Sequence, residues 1–345
     1  MRPMTNAERP TIKDVARKAG VSLGTASRAL NGQQSVSEAM RAKVERAIRE
    51  LGYRPDAVAQ SMRRGATHTI GILIRDITIR ALAGFVKSAQ DALQDAGYTL
   101  FIAGSEDRRE RELEILSAFS RRRIDGLIMT TSSESDPGLL KAREGLRIPV
   151  VLLDRQLPET FDAVMIAHRE GTRRAVEHLL DLGHRRIALL TGPETVRPAA
   201  ERVLGYRDAF RARGMEIDSE LIRTYGFNSE FGYVETSALL DQRRPATAII
   251  SGGIAMLAGT LRAVRAHGLR IPQDVSLLAG GDSDLAELAT PAITVVRWNF
   301  GEIGRAAAQL ILDRIERHPD WPPRRITFPT ELVLRGSCAP PRKDD

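Results

Sequence analysis

From Thr69 onward, short apolar runs alternate with segments of helical periodicity, and this alternation leaves the chain few folds to adopt. Runs at Thr69–Ile74, Leu100–Ala103, Gly126–Met129 and Val150–Leu153 are separated by helical segments near residues 80–96, 107–121 and 136–144. A second set follows at Ala163–Ile166, Ile187–Leu190, Ala246–Ile250 and Val275–Leu278, with helices over about 168–181, 197–213, 229–241 and 254–267. Gly97, Gly183, Gly214 and Gly268 stand just past helix ends, where a left-handed residue closes a helix without steric cost. The runs do not alternate with polar residues, as expected of strands buried on both faces of a parallel sheet joined by right-handed crossovers. About eight strands in this stretch divide better into two doubly wound sheets than into one. The last run, Ile293–Val296, a helix at 299–317 and strands near 325–328 and 331–335 are expected to return and complete both sheets. Ligands of such folds lie in the crevice beyond the carboxyl ends of the strands.

The first sixty-odd residues follow a different rule. Thr11–Gly32 reads as two short helices joined by a tight turn. Thr11 can cap the first, with Asp14 completing a capping box, and Ile12, Val15, Ala16 and Ala19 share one face. Gly20 stops that helix, Val21 plugs the corner, and Ser22 caps a second helix running from Leu23 to Leu30. Ala26 and Leu30 point inward, and Asn31-Gly32 ends the helix. Its outer face, Leu23, Gly24, Thr25, Ser27 and Arg28, is small and polar apart from Leu23, which suits a helix laid in a major groove. A third helix, Glu38 to about Leu51, follows Ser37, with Met40, Val44, Ile48 and Leu51 inward and Gly52 at its end. The segment Tyr53–Gly65 has a cap in Asp56 and good helix formers from Ala57 to Met62, but is too short to hold a helix alone in water. It reads as a linker that becomes helical when packed on a twin copy and on DNA, the other reading being a passive tether.

Charge separates the two regions. Residues 1–65 carry 13 basic and 6 acidic residues, so the whole formal charge of +7 lies there, and the remaining 280 residues balance. Such segregation points to a polyanionic partner. A length of 345 residues allows two or three domains, and 42% hydrophobic with 28% charged residues is a globular composition. Cys338 is the only cysteine, which excludes an intramolecular disulfide and a CxxC metal site. MRPMTNAERP has no apolar core of a signal peptide, and no run is long enough for a membrane span, so a cytoplasmic protein is expected.

These residues resemble the lactose-repressor/galactose-repressor (LacI/GalR) family of bacterial transcription regulators over essentially the whole chain. The matching stretches are IKDVARKAGVSLGTASRALNG, YRPDAVAQSM, HREGTRRAVEHLLDLGHRRIALLTG, the RVLGY segment Arg202–Tyr206, and GGDSDLAELATPAITVVR. The resemblance implies a helix-turn-helix headpiece (1–54), a hinge helix and linker (55–68) and a periplasmic-binding-protein-like body (69–338). The body divides into an N-subdomain of about 69–160 and 298–325 and a C-subdomain of about 161–297 and 326–338. It further implies a homodimer on a palindromic operator in double-stranded DNA. Base contacts fall to Leu23, Gly24 and Arg28, of which Arg28 can grip a guanine bidentately. Thr25, Ser27 and Asn31 suit phosphates, while Thr11, Ser22, Tyr53, Ala59 and Gln60 complete the expected DNA contacts. Met62 stands where the family usually places a minor-groove leucine wedge.

The resemblance also places a small-molecule effector between the two subdomains. Arg202 and Asp282 match the side chains that grip it, Asp154 and Asp76 close strands at the crevice, and Phe227 and Phe300 match an apolar wall. Departures are Gly253 where Asn or Asp is usual, DITIRAL in place of DIxNPF, and Trp298 where Gln is common. The ligand is expected to be a sugar, sugar acid or other small polar metabolite. Arg80 and Arg155, near strand ends, read as solvated surface, with an anionic ligand as the alternative. The chain ends GSCAPPRKDD without tetramerising heptads, so a dimer is expected. A solute-binding protein of a transport system would share the body but not the basic headpiece. An enzyme is not expected: there is no GxGxxG, P-loop or GxSxG, and the six histidines lack HExxH or other metal-ligand spacing. No cofactor is expected, and His168 and His184 read as structural donors.

Overall fold

The computed structural model describes residues 10–30, 35–53, 66–79, 82–156, 158–316 and 321–342. The expected Asn31-Gly32 terminator, the hinge with Ala59, Gln60 and Met62, and Arg80 lie outside the described residues. The chain divides into two compact units, Met1–Thr67 and His68–Asp345.

The first unit holds α1 (Ile12–Ala19), α2 (Leu23–Leu30) and α3 (Glu38–Leu51). The Asp14 carboxylate reaches back to accept from the Thr11 N–H (2.9 Å) and hydroxyl (2.7 Å). Gly20 sits at φ 65°, and the turn closes as Val21 donates to the Ala16 carbonyl at 3.1 Å. Ser22 caps α2 by accepting from the Thr25 N–H at 3.1 Å. Val15, Ala16, Ala26, Val36 and Val44 are buried between the helices, joined by Ala29, Ala47 and Tyr53. Met40, expected inward, is 47% exposed; Val36 from the preceding turn fills that end of the core instead.

The second unit contains two six-stranded sheets. The first is built from β1 (Thr69–Ile74), β2 (Thr99–Gly104), β3 (Gly126–Met129), β4 (Val150–Leu153), β5 (Asp162–Ile166) and β11 (Arg325–Phe328), in the order β11-β5-β4-β3-β1-β2. The second uses β6 (Ile187–Leu190), β7 (Ile222–Arg223), β8 (Ala248–Ser251), β9 (Ser276–Gly280), β10 (Thr294–Arg297) and β12 (Glu331–Val333), in the order β12-β10-β9-β8-β6-β7. All neighbours run parallel except β12, which pairs antiparallel with β10. The helices are α4 (Leu82–Asp95), α5 (Arg109–Arg122), α6 (Pro137–Gly145), α7 (His168–Asp181), α8 (Arg197–Ala212), α9 (Ser229–Leu240), α10 (Leu257–Ala266), α11 (Asp284–Leu288) and α12 (Phe300–Glu316). The two-residue edge strand β7 and the short α11 carry too little periodicity to be read from sequence.

The boundary between the sheets departs from the sequence reading. The strand at 162–166 is expected to open the second sheet, and 326–338 to belong to it; β12 does, but β5 pairs with β4 and with β11 in the first sheet. The cause is local. The described residues between β4 and β5 hold no helix, so the alternation rule gives no sign that the strand stays in its sheet. The chain therefore crosses between sheets after β5, after β10 and after β11.

Each sheet is covered on both faces. Phe85, Ala89 and Leu93 of α4 pack with Ile303, Ala307 and Ile311 of α12 on one face of the first sheet, and Leu116 and Phe119 of α5 on the other. On the second sheet, Leu239 of α9 and Val264 of α10 lie opposite Val176 and Leu179 of α7 with Val203 and Tyr206 of α8. Each such fully buried large side chain contributes roughly 1.5–3 kcal/mol. Among the described residues no helix is long and apolar enough to cross a membrane.

Helix α8 lies so close to α7 that a Cβ on Gly205 would stand 2.1 Å from the Arg169 carbonyl oxygen. Backbone cannot yield as a flexible side chain can, so Gly205→Ala should lower stability by roughly 1–3 kcal/mol. Gly145→Ala, where a Cβ meets nothing within 4 Å, serves as the control. Thermal unfolding of the two variants checks this; equal midpoints would contradict the packing.

Candidate effector cleft and nucleic-acid interface

In the first unit, α2 presents Leu23 (45% exposed), Gly24 and Arg28 outward, with Thr25 and Ser27 half-buried beside them. Ser22 and Thr25 are joined through their hydroxyls at 2.9 Å, and the Arg28 Nε donates to the Gly24 carbonyl at 3.2 Å. The guanidinium thus folds back along its own helix over Gly24. Thr11 is exposed at the start of α1. The Tyr53 ring, expected to face DNA, is buried to 9% exposure in the three-helix core.

In the second unit, a cleft of about 130 Å³, open to solvent on one side, lies at the carboxyl ends of the strands of both sheets. The first sheet supplies Arg75 after β1 and Asp154 and Arg155 after β4; the second supplies Phe227 and Gly253. The crossings between sheets add His168, Trp298 and Phe300, and α8 adds Arg202.

Asp154 is the centre of the polar part. Its backbone adopts φ 53°, a left-handed conformation that Asp tolerates better than most residues. Its Oδ2 meets the His168 Nε2 at 2.7 Å, while Oδ1 accepts from Arg197 Nη1 at 3.0 Å and from the Ile166 N–H at 3.2 Å. Burial works against this charge, but His168, Arg197 and Arg155 outweigh it and hold the carboxyl well below the usual range. Burial, reinforced by the Arg202 charge, pushes the His168 imidazole down to about 4 against the pull of Asp154. His168 is therefore neutral near pH 7 and donates Nε2–H. Arg155 donates to the carbonyls of Thr131 (2.9 Å) and Asp154 (3.0 Å). A further link joins the sheets where Glu134, after β3, accepts from the Arg197 N–H at 2.5 Å.

Arg202 is 6% exposed and donates to the Pro198 carbonyl at 3.2 Å; no carboxylate lies within ion-pairing distance of it among the described residues. Burial lowers its pKa to about 10, which leaves it charged near neutrality. The Arg75 guanidinium lies 5.1 Å from the centre of the Phe227 ring, a cation–π contact from one sheet to the other. That ring needs Gly192, where a Cβ would sit 1.9 Å from it. Trp298 packs edge-on to His168 at 5.2 Å and to Phe300 at 5.6 Å, and its buried Nε1–H has no acceptor among the described residues.

Six of the eight residues expected at the effector site, Asp154, Arg202, Phe227, Gly253, Trp298 and Phe300, come together in the cleft. Asp282 and Asp76 do not line it. Asp282 forms a two-toothed ion pair with Arg335 (2.9 and 2.8 Å), and Asp76 accepts from the N–H and hydroxyl of Thr78 (2.8 and 2.7 Å). Arg155, expected as solvated surface, is 6% exposed and lines the cleft. Sequence reading missed Arg75, Arg197 and Glu134 and took His168 for a structural donor only. Adjacency to a strand end was a usable signal for Arg75, but partners 32 to 63 residues away were not visible. His184 is a structural donor, bonded to Thr247, Ser276 and the Ala339 carbonyl.

Residues 11–56 match the model for bacterial regulatory proteins of the lacI family, and residues 176–338 match the periplasmic binding protein-like domain. The chain is 33% identical to the ribose operon repressor of Escherichia coli (strain K12), over 95% of this chain and 99% of that protein. It is likewise 33% identical to the HTH-type transcriptional regulator CelR of Thermobifida fusca, over 97% of this chain and all of that one. Among solved structures, a lac repressor dimer bound to operator and the anti-inducer ONPF superimposes with a TM-score of 0.83, at 26% identity over 96% of this chain and 99% of that one. A CelR–cellobiose complex does so with a TM-score of 0.70, at 33% identity over 95% and 100%.

The His168–Asp154 pair gives stability a definite pH dependence. An unfolded chain would protonate His168 near 6.5, the folded one only at about 4. Between these values the unfolded state binds more protons, so this contribution is complete above about 6.5 and is lost as the pH falls toward 4. The Asp154 carboxyl, also held low in the fold, acts in the same sense at still lower pH. The unfolding midpoint should thus drop between pH 7 and 4, and His168→Gln should flatten the drop across that window. Parallel curves for the two proteins would contradict the assignment.

Proposed function

Because this chain belongs to the LacI family of bacterial regulatory proteins, whose relatives here are transcriptional repressors, we propose that it is a homodimeric repressor gated by a small polar metabolite. The observation that carries this reading is the pairing, in one chain, of two units with separate tasks. One holds all the excess positive charge and an outward-facing second helix. The other holds a strand-end cleft crossed by ion pairs between two sheets.

On this reading the headpiece is 1–54, the hinge 55–68 and the effector-binding body 69–338. Two headpieces occupy the two halves of a symmetric operator. Arg28 leaves the Gly24 carbonyl to grip guanine, Leu23 and Gly24 shape the contact with neighbouring bases, and Thr11, Ser22, Thr25, Ser27 and Asn31 hold phosphates. Ala59, Gln60 and Met62 belong to the hinge, with Met62 as the apolar wedge. The effector lies in the cleft against Arg202, Asp154, Trp298, Phe227 and Phe300, beside Gly253. A relative named for ribose and a CelR–cellobiose complex support a small polar metabolite. Because two of the three crossings between the sheets run beside the cleft, a ligand there can turn one sheet against the other. A coupling of roughly 1–3 kcal/mol suffices to change operator occupancy several-fold. A solute-binding role would use the same body but gives no purpose to the basic first unit.

Fluorescence anisotropy on duplex DNA, with the full chain and with residues 66–345, tests the reading. Binding that weakens steeply with salt and vanishes on truncation supports it; equal binding by both proteins refutes it. Arg28→Ala should cost roughly 1–3 kcal/mol at one base pair per half-site. Uniform weakening on all sequences would make Arg28 a phosphate contact instead.

A further inference from the structure

The cleft is rich in hydrogen-bond donors and nearly empty of free acceptors. Arg75, Arg155, Arg202 and Trp298 line it, and the buried Trp298 Nε1–H has no acceptor among the described residues. Asp154, the one carboxylate among the described lining residues, already accepts from His168, Arg197 and the Ile166 N–H, which leaves one acceptor site on Oδ2. The acidic side chains expected nearby are engaged elsewhere, Asp282 by Arg335 and Asp76 by Thr78, and Gly253 supplies no side chain. Among the lining side chains described, the Thr130 hydroxyl and that one site on Asp154 are what can still accept.

A sugar hydroxyl is both donor and acceptor, so a neutral sugar in this cleft would bring more hydroxyl protons than the side chains can receive. A carboxylate or phosphate is an acceptor only and matches guanidinium forks. Charge points the same way: Arg202 has no carboxylate partner among the described residues, and the Arg75–Asp107 pair is long, at 3.6 Å. Phe227, Trp298 and Phe300 add apolar surface to the same lining, with Arg75 over the Phe227 ring.

We propose that the effector is a small organic anion, its carboxylate or phosphate oxygens held by Arg202, Arg75 and the Trp298 Nε1–H and its carbon body laid against the aromatic wall. This rests on the reading of the cleft as an effector site and narrows it from polar metabolites in general to acids.

The chain has two tryptophans, and Trp321 lies outside the cleft, so full-length Trp321→Phe leaves Trp298 as the only indole reporter. Its emission would be followed during titration with inorganic phosphate, D-gluconate, D-glucose 6-phosphate and D-glucose at constant ionic strength. A saturable change is expected with at least one of the three anions and none with glucose, and gluconate against glucose 6-phosphate tells carboxylate from phosphate. Arg75→Gln, at a partly exposed position that should fold normally, should weaken the response at least tenfold, and Arg202→Gln should abolish it. A saturable response to glucose alone, no response to any anion, or an anion response unchanged in Arg75→Gln would each overturn the proposal. Duplex binding by the same preparation separates the two readings. Salt-sensitive DNA binding alongside a response to glucose alone defeats only the anion inference, whereas absent DNA binding defeats the regulator reading whatever the cleft takes.

Discussion

The body depends on one buried charge. Asp154 lies at the end of the first sheet, and its two oxygens are claimed by His168, at the first crossing, and by Arg197, at the start of a helix on the second sheet. Removing one member of such a buried group leaves an uncompensated charge, typically at a cost of about 3–5 kcal/mol. The pair of sheets is therefore held by a contact whose strength comes from completeness. Its neighbours are arranged around it: His168, kept neutral by burial and the Arg202 charge, is oriented by its bond to Asp154, Trp298 packs edge-on against that imidazole, and Arg202 lines the cleft with no carboxylate partner among the described residues.

That arrangement explains how a site can also be a switch. Ile166, His168, Trp298 and Phe300, where the chain passes between sheets, are part of the lining of the cleft. Ion pairs and a cation–π contact, rather than a continuous apolar core, join the sheets there. Apolar cores resist sliding because they are close-packed. Polar links can be exchanged for links to a ligand at modest net cost, since each partner keeps a hydrogen bond. The headpiece is built on the opposite principle. Its core is a handful of alanines and valines around one tyrosine, enough to fix the angle between two short helices and leave the outer face of the second free.

The elements were legible in the sequence to within a residue or two, because strands buried on both faces and helices stopped by glycine leave strong local marks. Ile70–Ile74, Gly126–Met129, Val150–Leu153 and Ile187–Leu190 carry no polar residue to blur them, and Gly20, Gly183 and Gly268 take the left-handed conformation their positions require. The place of Asp154, at a strand end beside the cleft, was also legible, whereas Asp76 at another strand end does not line it. Met40 was misjudged because periodicity gives a face but not what lies opposite it.

The sequence by itself therefore determined two units, their elements, the segregation of charge and the general location of a ligand, all of which depend on spacings of a few residues. Only the tertiary structure decided that β5 stays in the first sheet, that Asp282 belongs to Arg335, and that Arg75, Arg155 and His168 face the cleft. These rest on pairings across 14 to 163 positions, where the chain's own local preferences are silent and competition among charges for the nearest partner settles which side chain remains available.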